Sequence, residues 1–172
     1  LVAPIARSGI VLGKATGAAT VALLQAGVML AFAPLVGASI TLSQVLKLVP
    51  VLVLISLSLS GLGLLVASRM RSQQGFQLIV QLLIFPLIFL SGVFFPVNNV
   101  PGWLEAISKV NPLTYGVDAI RQIFLDAAGG ASDAVGVTVF GHTMSVAEDA
   151  GVVAVFGLVL LLLATMSFGR QE

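Results

Sequence analysis

The chain has 172 residues, 58% of them hydrophobic and only 9% charged, whereas soluble domains carry about a quarter charged residues. Its eight Lys and Arg are scattered and offset by seven Asp and Glu, which excludes the basic face that nucleic-acid binding requires. With no cysteine, disulfides and thiolate metal sites are excluded as well.

Four stretches, 15–37, 48–68, 76–95 and 150–169, contain no Asp, Glu, Lys or Arg. At about 1.5 Å of rise per residue, each is long enough to cross a hydrocarbon layer of about 30 Å as a helix. The expected fold is therefore all-α, a polytopic membrane helix bundle formed as one domain over 1–172. No basic segment leads into a short apolar run with a small-residue cleavage site, so no signal peptide is read. The opening Leu1 leads us to expect that an amino-terminal part of the protein precedes it.

Residues 1–14 read as a turn outside the membrane. Ser8 to Lys14 imitates a phosphate-binding loop, but Ser8 stands where Gly is needed and Ala15 where Ser or Thr would bind magnesium. Gly9, Gly13 and Gly17 flank the first span at fourth-residue spacing, a pattern that lets another helix backbone approach; packing within one bundle is the expected use. Gln25 lies mid-span and needs a partner, because an unpaired amide in hydrocarbon costs several kcal/mol, of order 2–7. In the second span Ser56 and Ser60 share a face near Gly63, and such hydroxyls can bond back to their own helix.

The third span is more distinctive. Gln73, Gln77 and Gln81 recur every fourth residue, stacking three amides on one helical stripe, and Pro86 then removes a backbone bond and favours a kink. Two readings fit: a wall of a central cavity, or hydrogen bonding to a neighbouring helix. No ionisable side chain lies inside any span, which argues against a proton- or ion-coupled carrier.

Arg7, Lys14, Arg69, Arg71 and Arg170 cluster at one set of span ends. Basic residues collect in cytosolic loops, so both ends of the chain are expected in the cytosol and 96–149 outside. That outer segment holds two basic against six acidic side chains. It reads as a structured cap of short helices dipping into the outer leaflet. A helix is expected from Trp103 to Val110, with Glu105 and Lys109 paired at i,i+4. Asn111-Pro112 stops it and caps the next helix. In that second helix Leu113, Val117, Ile120 and Phe124 line an apolar face, and Asp118 and Arg121 lie on another. Trp103 and Tyr115 suit a half-wet interfacial belt. Short β-branched runs follow from Val135 to Phe140. His142 reads as an exposed loop histidine with no second ligand at metal spacing, and no Ser, His and Asp align for catalysis.

The runs Ser91-Gly92-Val93-Phe94-Phe95-Pro96, Pro101-Gly102-Trp103-Leu104 and Asn111-Pro112-Leu113-Thr114-Tyr115-Gly116-Val117-Asp118-Ala119-Ile120-Arg121 resemble the signature of the type-2 ABC transporter permeases. The opening Leu1 to Ser8 and Ile10 to Lys14 similarly resemble that family's cytosolic turn between the second and third spans. The resemblance implies a permease of an ATP-driven exporter in a prokaryotic plasma membrane, acting as a homo- or heterodimer. Six spans are usual, so the four here would be the third to the sixth. No cofactor or metal is expected on this chain; ATP and Mg would sit on a separate cytosolic ATPase. The resemblance assigns ATPase coupling to Ala3, Pro4, Ile5 and Arg7. A translocation path is expected along Gln77, Gln81 and Phe85, and an outer gate or cap at Trp103, Asn111, Pro112, Tyr115, Asp118 and Arg121. The alternative is a membrane anchor or scaffold that recruits a partner without moving solute.

Overall fold

A computed structural model describes residues 7–94, 100–127, 136–139 and 142–169. They form α1 (Arg7–Phe32), a single 3-10 turn (Ala33–Val36), α2 (Leu42–Ala67), α3 (Gln73–Phe89), α4 (Gly102–Val110), α5 (Pro112–Ala127), the strands β1 (Thr138–Val139) and β2 (His142–Thr143), and α6 (Val146–Gly169). This is a polytopic helical bundle. By length and composition α1, α2 and α6 can cross a membrane, and α3 is a shorter apolar helix of 17 residues.

Local chemistry sets the ends. Thr41 caps α2: its hydroxyl accepts from the Gln44 N–H, and the Gln44 side chain accepts from the Thr41 N–H at 2.7 Å. Ser72 caps α3 by accepting from the Gly75 N–H at 3.0 Å. Ser145 and Glu148 form the same reciprocal arrangement before α6, with the Ser145 N–H donating to Glu148 Oε2 at 2.7 Å. That box starts α6 four residues ahead of the uncharged run at 150–169. α1 likewise starts before its apolar run: from Arg7 onward the residues expected in an opening turn are helical, since none of 7–14 is a proline.

The centre of the bundle is the seam between α2 and α6. Buried positions on α2 are Gln44, Leu48, Val51, Ser58 and Gly61; on α6 they include Asp149, Val153, Gly157, Ala164 and Ser167. Spacings of three, four and seven put these residues on one stripe of each helix, the pattern of knobs-into-holes packing. Ser58 lies against Gly157, Gly61 against Leu160, and Ser68 against Ser167, so the two helices run parallel in one register. Small residues set the distance. A Cβ added to Gly61 would meet Leu160 Cβ and the Leu161 backbone nitrogen at 3.0 Å. In lipid, where apolar surface gains nothing by leaving the solvent, such close packing is what holds helices together.

α1 joins through Val11, Ala15 and Ala19, which are buried. Gly9, Gly13 and Gly17 lie on its other side, where an added Cβ would meet nothing within 4 Å. Among the described residues, then, these glycines meet no neighbouring helix, and alanines make the contact with the rest of this chain. Gln25 also faces outward, and its amide has no hydrogen-bond partner among the described residues. Ser56 bonds back to Leu52 O at 2.8 Å, as expected of a hydroxyl in a membrane helix. Leu48 and Val51 of α2 meet Ala119 and Ile123 of α5, and Tyr115, Val137 and Val153 form a second cluster beside them.

Candidate functional site

The residues expected to act in transport fall in three places. Ala3, Pro4 and Ile5 lie outside the described residues, and Arg7 opens α1. Gln77, Gln81 and Phe85 stand in line on α3, all exposed, and α3 buries none of its residues. They point away from the two apolar cavities beside α3. One, of about 340 Å³, is lined by Leu83, Pro86, Leu87 and Leu90 with Ile107 and Pro112; the other, of about 170 Å³, by Val80, Leu83, Ile84 and Leu87 with Leu59 and Leu62. The glutamine stripe, then, lines neither of these cavities. It is an outward face.

Cap residues are brought together. Asn111 is the hinge pin of the arrangement: its Oδ1 accepts from the Leu113 N–H at 3.0 Å, capping α5, and its Nδ2 donates to Leu87 O at 2.7 Å. Pro112 follows as the first residue of α5, where its missing N–H costs nothing. Thr114 Oγ1 lies 2.7 Å from Ser108 O and 3.1 Å from Leu90 O. Arg121 donates through Nη2 to Gly92 O, and Gly92 has φ +83, a left-handed turn open to glycine. Leu87, Leu90 and Gly92 are the end of α3 and the turn that follows. The end of α3 is thus held by three side chains of the Asn111–Arg121 segment. Pro86 lies just before this joint and leaves the Leu82 carbonyl without its usual helical donor.

A second face of α5 is held by a polar cluster. Asp118 Oδ2 accepts from the Val137 N–H at 2.7 Å and from Gln122 Nε2 at 3.0 Å. Gln122 Nε2 also lies 2.9 Å from Met144 O and 3.0 Å from Asp149 Oδ2. Asp118 and Asp149 are buried, and one oxygen of each has no partner among the described residues. The cluster ties α5 to the two-stranded hairpin, in which Thr138 faces Thr143 and Val139 faces His142, and to the first turn of α6. Gln122, Thr114 and Asp149 escaped the sequence reading, although Asp118 and Gln122 at i,i+4 on the cap helix were a usable signal.

One expectation about the cap is corrected, and the faces of α5 are assigned. The buried residues of α5 include Thr114, Tyr115, Asp118, Ala119, Gln122 and Ile123, with Asn111 buried just before it, while Leu113, Val117 and Ile120 are partly exposed and Phe124 is 36% exposed. Tyr115 is no interfacial ring. It is 6% exposed, with its hydroxyl donating to Lys109 O at 2.7 Å. Burial, with Asp149 nearby, pushes its phenol above the ordinary range, which keeps it a donor. Trp103 is 67% exposed, as a belt residue should be, and Lys109 pairs with Glu105 at 2.6 Å.

Asp118→Ala should loosen the cap locally. Its loss leaves the buried Val137 N–H without an acceptor, at about 1–3 kcal/mol. Amide exchange at Val137 should rise by about fivefold or more, since about 1.4 kcal/mol is a factor of ten. Asp126→Ala, which breaks only an exposed 3.6 Å pair with Lys47, should leave that exchange unchanged.

The family described as ABC-2 type transporter matches residues 1–125. The chain is 36% identical over 134 residues to the probable multidrug ABC transporter permease YbhR of Escherichia coli strain K12, covering 74% of this chain and 35% of that protein. It is 35% identical over 116 residues to nodulation protein J of Rhizobium meliloti strain 1021, covering 67% and 44%. Over 64 residues it is 34% identical to the daunorubicin resistance ABC transporter permease protein DrrB1 of Streptomyces coeruleorubidus, covering 37% and 22%. The chain spans less than half the length of each of these relatives. No solved structure matches it.

Proposed function

The chain belongs to the ABC-2 type transporter family, and from that premise we propose that it forms the membrane-spanning permease part of an ATP-driven exporter. Hydrolysis takes place on a separate cytosolic ATPase, with ATP and Mg bound there. Two copies, identical or paired with a related chain, enclose the path in a prokaryotic plasma membrane, and both ends of this chain lie in the cytosol. The observation that carries this reading is α3: a helix with no buried residue that presents Gln77, Gln81 and Phe85 in one outward line. A lipid-facing helix has no use for stacked amides. Between two copies they offer hydrogen bonds and a ring to a weakly polar cargo, with no charge to retain it.

Force enters at Ala3, Pro4, Ile5 and Arg7, where the ATPase contacts the permease, and passes along α3 to the cap. A rigid helix joined to a structured outer cap turns a small tilt on one side of the membrane into a gate movement on the other. The test is reconstitution of the full chain with its ATPase in vesicles. Cargo should stimulate hydrolysis and move only with ATP, and substitution of Ala3 to Arg7 should abolish stimulation while hydrolysis by the ATPase continues. Transport driven by a proton gradient without ATP would overturn the reading, as would a chain that binds the ATPase but moves nothing. Unchanged coupling after substitution would overturn the contact alone.

A further inference from the structure

At the opposite end of the bundle from the cap, the parallel helices α2 and α6 finish together and leave a notch of about 240 Å³ lined by Leu65, Arg69, Leu163, Met166 and Ser167. It is built around one cation. Arg69 Nε donates to Ser167 Oγ at 2.9 Å; the Ser167 and Ser68 hydroxyls lie 2.8 Å apart; and Ser68 Oγ donates to Leu65 O at 2.7 Å. Ser68 and Ser167 are buried, while Arg69 is exposed. This chain of hydrogen bonds engages the inner nitrogen of the exposed guanidinium and leaves its two terminal nitrogens without a hydrogen-bond partner among the described residues. Among the described residues no carboxylate lies within ion-pair distance of Arg69 or of Arg71 two residues on; the ion pairs there use Lys47, Lys109 and His142. Below the charge, Leu65, Leu163 and Met166 make an apolar wall.

A planar donor pair with no counter-charge among the described residues, set over aliphatic side chains where two membrane helices end, complements one molecule of the surroundings. We propose that this notch is a binding site for an anionic phospholipid. Its phosphodiester is taken in two-pronged fashion by the terminal nitrogens of Arg69, and the first methylenes of an acyl chain lie against Leu65, Leu163 and Met166. Phosphate oxygens match the guanidinium fork better than they match an ammonium, and basic notches between membrane helices at the anionic leaflet are where such headgroups collect. Charge complementarity selects an anionic lipid; the apolar wall selects a lipid over a free anion.

The experiment measures heat stability of the full chain in detergent with added phosphatidylglycerol, phosphatidylcholine or inorganic phosphate. Phosphatidylglycerol should raise the midpoint, and the half-saturating lipid concentration should rise about tenfold in Arg69→Gln, as expected for losing one bidentate charged contact. Arg69→Lys should recover part of that loss, and Ser167→Ala should cost less than Arg69→Gln because it frees the guanidinium without removing it. Equal stabilisation by phosphatidylcholine would overturn the proposal, as would an unchanged response of Arg69→Gln or a full response to inorganic phosphate. Should Arg69→Gln fail to fold, a photoactivatable phosphatidylglycerol on the unaltered protein decides. Adducts concentrated on Leu65, Leu163 and Met166 support the site, and adducts spread evenly over the exposed faces of α1 and α3 overturn it.

Discussion

Gly61→Val should lower the thermal midpoint of the permease in detergent by about 2–12 °C, whereas Gly63→Val should move it far less. The two substitutions carry the same change in intrinsic helix propensity, so the difference between them isolates the seam. At Gly61 the new Cβ lies 3.0 Å from Leu160 Cβ and from the Leu161 backbone nitrogen; at Gly63 nothing lies within 4 Å. A backbone atom cannot rotate aside, so α2 and α6 must separate. Overpacking of this kind costs about 1–3 kcal/mol, and for a chain of this size about 2–4 °C follows from each. Gly116 is a useful contrast. Its added Cβ would come within 2.6 Å of Ile55, but only of the Cδ1 and Cγ1 atoms of a side chain that can change rotamer. Gly116→Ala should therefore be tolerated better than its shorter contact suggests. Midpoints for Gly61→Val and Gly63→Val that agree within error would mean that the seam does not hold the bundle.

The bundle was legible because charge-free runs of about twenty residues leave a chain no aqueous alternative. Which face of each helix turns inward was less legible, for the same reason. In water an apolar stripe marks the buried side. In lipid the stripe made by Leu113, Val117 and Ile120 can stay partly exposed, and it is the polar residues that need protein partners. Asn111, Thr114, Asp118 and Gln122 accordingly turn inward. The glycine stripe on α1 was open in a related way. Small residues permit contact without saying which neighbour arrives, and within this chain Ala15 and Ala19 meet it instead. The capping residues were readable and went unused: Ser145 followed three residues later by Glu148 announces a helix start, which places Asp149 within reach of Gln122. The candidate path residues were legible as a stripe on α3; their outward setting was not, because spacing fixes which residues share a face and leaves the direction of that face open.

Substitution of Asn111 and Arg121 should separate transport from folding. Asn111→Ala removes the amide that reaches Leu87 O, and Arg121→Ala removes the guanidinium that reaches Gly92 O. Each bond contributes about 0.5–1.5 kcal/mol net, or about 1.5–3 where the donor is charged. The double variant therefore weakens the joint between α3 and the cap by about 2–4.5 kcal/mol on those terms. The seam between α2 and α6, which holds the bundle, does not include either residue. If α3 drives the cap, the double variant should lose most cargo export, at least about tenfold, while ATPase binding and basal hydrolysis persist. Asn111→Ala alone also loses the cap on α5, since its Oδ1 accepts from the Leu113 N–H, so Asn111→Asp is the better single variant. It keeps the capping oxygen but sets a carboxylate oxygen in place of the donor, so that the contact with Leu87 O turns from attractive to repulsive. Export by Asn111→Asp close to that of the unaltered permease, together with unchanged export by Arg121→Ala, would mean that movement of α3 reaches the outer gate by another route. Reduced export with an intact thermal midpoint would place the joint in the gating path, because a merely structural bond would lower both together.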